Sequence, residues 1–153
     1  MKDNPNTLSM YEIFLAHSRA DRALRLVVSR ALEQFEVTMM EWLLMAAVAE
    51  KDAKGATMTD VATKLDVTLP QVTALAISLT KAKLLKQKIS RQDRRSRKLY
   101  CSPAALKVVE GIEKQLSETI QEFMSDIPES HLEGYFKVLQ VLATRKPGRI
   151  IAS

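Results

Sequence analysis

A chain of 153 residues, 46% apolar and 27% charged, is long enough to bury on the order of 70% of its unfolded surface in one core, which excludes a disordered tail. Five prolines and four glycines favour long helices over many short strands, and a longest apolar run of 8 residues, 42–49, falls short of the ~20 that span a bilayer. The net charge of +5 is unevenly held: residues 81–98 carry nine cations and one acid, a net of +8, while the remainder stands at −3.

The opening segment MKDNPNTLSM has no apolar core of signal-peptide length. The single cysteine, Cys101, makes neither an internal disulfide nor a zinc site, so a soluble, cytoplasmic protein is expected. Over residues 6–35, Met10, Phe14, Leu24, Val28, Ala31 and Phe35 keep a helical period, with His17 and Asp21 on the same stripe. This predicts one helix of about thirty residues, a length that points to contact with another subunit. TMMEWLLMAAVAE opens with Thr38 three residues before Glu41, a capping-box spacing, and continues as an apolar second helix to about Glu50. KDAKGA reads as a linker.

Two short amphipathic helices follow. TMTDVATKL offers Thr57 and Asp60 as its start and Val61, Ala62 and Leu65 as its buried side. TLPQVTALAISLTKAKLL repeats the pattern with Thr68 as cap, Pro70 in the first turn and Gln71 at the third position. Only Asp66 and Val67 link them, so the helices must cross steeply, the layout of a helix-turn-helix. In the second, Val72, Leu75, Leu79 and Ala82 mark the core stripe. Gln71, Thr73, Ala74, Ile77, Ser78 and Lys81 fall on the opposite face, short-chained and mostly uncharged, suited to lying flat in a groove.

The period then changes to two. KQKIS and RKLYCS alternate, with Ile89, Leu99 and Cys101 pointing one way and Lys88, Lys98 and Tyr100 the other. This predicts a β-hairpin whose tip carries Arg91, Arg94, Arg95 and Arg97 around Asp93. Cys101, on the inward parity with Leu99, reads as a packed thiol. Ser102 and Pro103 then start a helix with apolar residues at Val109, Ile112, Leu116, Ile120 and Phe123, and a last helix carries Leu132, Tyr135, Phe136, Leu139 and Leu142. With the first helix (6–35), these (103–145) are expected to form a helical dimerisation layer around a winged helix-turn-helix (38–102), in one domain covering 1–153.

The order of elements and the stretches TMMEW, TDVATKLDVTLPQVTALAISLTKAKLL and DRRSRKLYCSP together resemble the MarR family of winged-helix transcriptional regulators, over residues 8–144. The wing stretch, an Asp and an Arg two apart before a strand and a helix start, is the most specific match. The resemblance implies a mainly α fold with a small β-hairpin, and a homodimer on a pseudo-palindromic double-stranded DNA operator. The fourth helix would lie in the major groove and each wing would reach the minor groove. It implies that Arg95 enters that groove, that Asp93 braces the wing arginines, and that Thr68, Pro70, Gln71 and Thr73 face base edges and phosphates. A guanidinium on a stiff tip suits a narrow A·T-rich groove, and Gln71 is placed to take adenine.

The sequence departs from the family pattern with Ala74, Ile77 and Ser78 on the outward helix face, Lys83 in place of a helix-ending glycine, and Cys101, Ser102 and Ala105 in place of Leu, Thr and Gly. Family members commonly hold a small-molecule effector between the dimerisation layer and the DNA-binding lobe. Tyr11, His17, Met39 and Trp42 are positioned for such a cleft and equally for core. His17 with Asp21 one turn on suits an ion pair of Asp21 with an arginine better than a metal site, and no metal or cofactor is expected. Without a glycine-rich phosphate loop or a nucleophile–base pair, an enzyme is not expected either. The leading expectation is an effector-released repressor. The alternative is an interaction module docking an acidic partner through its basic wing.

Overall fold

The computed structural model describes residues 9–89 and 97–145, which form two compact units, one ending at Thr119 and the other beginning at Ile120. The elements run α1 (Met10–Leu32), α2 (Met39–Ala49), β1 (Ala56–Thr57), α3 (Met58–Leu65), α4 (Leu69–Lys81), β2 (Leu85–Ile89), β3 (Arg97–Cys101), α5 (Pro103–Phe123) and α6 (Glu129–Thr144).

The helix starts follow from local chemistry. Ser9 caps α1, Thr38 caps α2 and Thr57 caps α3, each paired with an acid three residues on that returns the bond: Glu12, Glu41 and Asp60. The box at Ser9 makes α1 shorter than the thirty residues expected. It spans 23 residues and passes into a 3-10 turn at Glu33–Phe35, which closes on Glu36 in a left-handed conformation (φ 55°). Of the expected 6–35 span, residues 6–8 lie outside the described residues.

The expected linker KDAKGA contains structure that its brevity hides. Asp52–Lys54 form a 3-10 turn, and Ala56–Thr57 form a strand that pairs antiparallel with β3, Ala56 opposite Leu99 and Thr57 opposite Lys98. The hairpin is therefore part of a three-stranded sheet in the order β1-β3-β2. In the β2–β3 ladder Leu85 faces Cys101, Gln87 faces Leu99 and Ile89 faces Arg97. The alternation holds, but Ile89 is 63% exposed: at the last rung it projects past the layer that covers Leu85 and Leu99.

One core gathers Leu44, Met45 and Val48 of α2, Val61 of α3, Val72, Ala76 and Leu79 of α4, Leu85 and Leu99 of the sheet and Ala105 of α5. It holds the helix-turn-helix against the sheet. Ala76 belongs to it and Ala82, expected on the stripe, is exposed, because Ala82 is already the C-cap of α4. A second cluster joins Ala31 and Leu32 to Ile112 and Leu116, with Val28, Phe35, Met39 and Trp42 packed around it. In the unit beginning at Ile120, α6 has no buried residue, and Phe136, Val138, Val141 and Leu142 are exposed.

Candidate nucleic-acid interface

The turn between α3 and α4 is held by the Val67 N–H donating to the Ala62 carbonyl at 3.0 Å, with Asp66 left-handed at φ 52°. This three-residue connection, Asp66 to Thr68, carries the chain into α4, one side of which is exposed. On that side Gln71, Ala74, Ile77, Ser78 and Lys81 are exposed, as are Thr68, Leu69 and Pro70 in the first turn; Thr73 is half-buried.

The polar groups there are already partly engaged. The Thr68 N–H and hydroxyl both donate to the Gln71 side-chain oxygen at 2.9 Å, closing a capping box whose acceptor is neutral. The Thr73 hydroxyl turns back onto the Leu69 carbonyl at 2.9 Å. The Ser78 hydroxyl donates to Glu41 Oε1 at 3.1 Å, and the other oxygen of that carboxylate, Oε2, accepts from Thr38. Glu41 thus ties α4 to the start of α2, and these bonds, the Thr38 N–H foremost, hold its carboxyl below the ordinary range.

The charge along the chain from α4 toward the wing is one-sided. From residue 67 to residue 92 the chain contains no Asp or Glu. Beyond Lys81 the backbone turns at Lys83, left-handed at φ 61°, where the Lys83 and Leu84 N–H groups bond back to the Thr80 and Leu79 carbonyls. The structure thus makes at Lys83 the turn that other chains make with glycine. Lys83, Lys86 and Lys88 line a shallow cavity of about 530 Å³ with Thr80, Leu85 and Gln87. Lys88 stands over the Tyr100 ring, 5.2 Å from its centroid, and Lys98 donates to the Lys54 carbonyl at 3.0 Å, fixing the base of the wing. Arg97 is exposed at the start of β3. Arg91, Asp93, Arg94 and Arg95 lie outside the described residues. Among the described residues the ion pairs are Asp21 with Arg25, Glu50 with Lys64 and Glu133 with Lys137, none of which draws on a cation of α4, β2 or β3.

The four residues expected at an effector cleft differ in burial. Tyr11 and His17 are exposed on α1, Tyr11 to 74%. Met39 and Trp42 pack against the second cluster, where the Trp42 Nε1 is buried with no hydrogen-bond partner among the described residues. Asp21 bonds Arg25 at 2.9 Å along α1, and among the described residues no group of three metal-binding side chains gathers. Cys101 is half-buried, its Sγ 3.4 Å from the Met45 carbonyl, and burial pushes its thiol up to about 11, far from a reactive thiolate.

Neither a family model nor a curated protein sequence matches the chain. Solved structures do match in fold. A MarR family transcriptional regulator from Rhodococcus sp. RHA1 superposes with a TM-score of 0.80 at 16% identity, over 90% of this chain and 97% of that one. S. aureus MepR in complex with DNA gives 0.75 at 22% identity, over 90% and 98%. Bordetella bronchiseptica BpsR, whose DNA binding is regulated by 6-hydroxynicotinic acid, gives 0.81 at 14% identity, over 92% and 100%. The chain therefore has the winged-helix fold of the MarR family regulators, the mainly α architecture with a small antiparallel sheet that the sequence resemblance implied.

Proposed function

We propose that the chain is a sequence-specific double-stranded DNA-binding transcriptional regulator that acts as a homodimer and, as a repressor, is released by a small-molecule effector. The observation that carries this reading is the acid-free run of chain that forms α4 and β2. A convex helix with short side chains stands beside a lysine-rich sheet, with no carboxylate from residue 67 to 92 to repel phosphates. In this reading Thr68, Pro70, Gln71, Thr73, Ala74, Ser78 and Lys81 face the major groove, while Arg91, Arg94, Arg95 and Arg97, braced by Asp93, serve the wing. The DNA complex of MepR, which shares the fold, supports it.

The dimer draws support from apolar side chains exposed on the helices outside the core, Met10, Tyr11 and Phe14 on α1 and Phe136, Val138 and Leu142 on α6. Half-sites of a palindromic operator lie about 34 Å apart, so an effector that moves the paired recognition helices a few ångströms off that spacing loses both halves together. The buried, unpartnered indole N–H of Trp42 supports an effector that brings a hydrogen-bond acceptor to Met39 and Trp42, with Tyr11 and His17 from α1.

Fluorescence anisotropy with duplexes from beside the gene tests the reading. Binding that weakens by on the order of 100-fold from roughly 50 to 200 mM salt, and that favours one fragment over random DNA, is expected. Salt-insensitive binding, or no preferred fragment, overturns it. A second reading, docking of an acidic protein partner, is favoured by the exposed Leu69 and Ile77 on α4. Arg95→Ala separates the two: it weakens DNA binding in the first and leaves every DNA sequence unaffected in the second.

A further inference from the structure

We infer that Gln71 selects a base for this interface and that the base is guanine, not the adenine that its side chain suggests by residue type; the inference rests on the DNA-binding reading above. The Gln71 side-chain oxygen accepts two hydrogen bonds, from the N–H and the hydroxyl of Thr68, both at 2.9 Å. An amide oxygen has two lone pairs, and both are occupied. What remains on this exposed residue is the amide –NH2, a pair of donors. Adenine presents an acceptor, N7, beside a donor, the N6 amino group, so an amide reads it bidentately only by offering one donor and one acceptor. Guanine presents two acceptors, O6 and N7, which match the donors that Gln71 has free. Turning the amide over to offer its oxygen to adenine breaks both bonds to Thr68 and uncaps α4, a loss of roughly 2- to 30-fold in the helical equilibrium.

The neighbouring hydroxyls strengthen the assignment. Thr68 donates to Gln71, Thr73 to the Leu69 carbonyl and Ser78 to the Glu41 carboxylate, each acceptor being one that cannot donate in return. Every hydroxyl proton on this face is committed within the protein, and the oxygens keep only accepting capacity. The Gln71 amide is then the uncharged side-chain donor that α4 turns outward. The other three capping boxes close on a carboxylate, from Glu12, Glu41 and Asp60. A carboxylate would cap α4 equally well; it would offer no donor and would set a negative charge against the duplex.

Selection of binding sites from a random duplex pool, with the full chain and its Gln71→Glu and Gln71→Ala variants, tests the inference. Gln71→Glu keeps the capping box, and thermal melts check that it remains folded. The wild type is expected to enrich guanine at one position of each half-site. In Gln71→Glu that preference falls by about 5- to 150-fold and moves to cytosine, whose N4 amino group donates to the new carboxylate; Gln71→Ala loses the preference without a new one. A wild-type preference for adenine at the position the variants alter overturns the inference and leaves the DNA-binding reading standing. So does an unchanged profile in both variants. Failure of the wild type to enrich any duplex overturns the reading itself, and the inference with it.

Discussion

Gly55 shows how much a single backbone position carries. Its φ of 66° with ψ of 158° lies in a region that side chains rarely enter, and a Cβ added there would stand 2.5 Å from Tyr100 Cζ and 2.7 Å from Cε1. Tyr100 in turn lies under Lys88, so the glycine sets the height of the ring on the outer face of the wing. Gly55→Ala is expected to destabilise the fold by about 2 kcal/mol or more in urea unfolding. Adding Tyr100→Ala should recover only part of that loss, since it removes the clash and leaves the backbone strain. Full recovery would show that the strain contributes nothing.

The capping boxes show the same economy at the scale of the element, and they tie helix stability to pH. Glu12 and Glu41 are held below the ordinary carboxylate range chiefly by the N–H groups of Ser9 and Thr38, and Asp60 chiefly by the Thr57 hydroxyl. Because each pKa is lower in the folded chain, the unfolded chain takes up protons first on acidification. The stabilisation is complete above the unfolded carboxylate pKa, about 4 to 4.5, and is lost as pH falls through the lower folded values. Urea midpoints should hold from pH 7 to about 5 and drop toward pH 3. Glu41→Gln should flatten that drop, because Gln71 shows that an amide closes the same box without titrating. An equally steep drop in the variant would place the acid sensitivity elsewhere.

These elements differ in how far they could be read beforehand. Thr38, Thr57 and Thr68 announced their helices through side chains that bond three residues on, a relation that spacing alone reveals. The strand at Ala56–Thr57 gave no such signal, since two residues cannot show a period and the pairing partners lie at Leu99 and Lys98. The same distinction runs through the interface. The T-x-x-Q spacing already contained the engagement of the Gln71 oxygen, whereas the bond from Ser78 to Glu41 spans 37 residues and exists only once α2 and α4 have packed.

At the scale of the whole molecule, the apolar side chains left outside the core are the clearest unmet requirement. Phe14 is 66% exposed on α1 and Phe136 51% exposed on α6, in helices whose polar residues do not need them. A homodimer that covers them should sediment at about twice the 17.2 kDa of one chain. Phe14→Glu and Phe136→Glu should each shift the protein toward the single-chain mass and weaken operator binding by at least roughly 10-fold, because two tethered half-sites become one. Wild-type protein that sediments as a single chain, or glutamate variants that keep the doubled mass, would remove this layer from the account.

Thr57 is at once the last residue of β1, opposite Lys98 in the wing, and the cap on which α3 begins. No spacer separates strand from helix, so there is no slack at that joint. The pairing of β1 with the wing strand and the first turn of α3 therefore share one residue, and α4 follows α3 after three more.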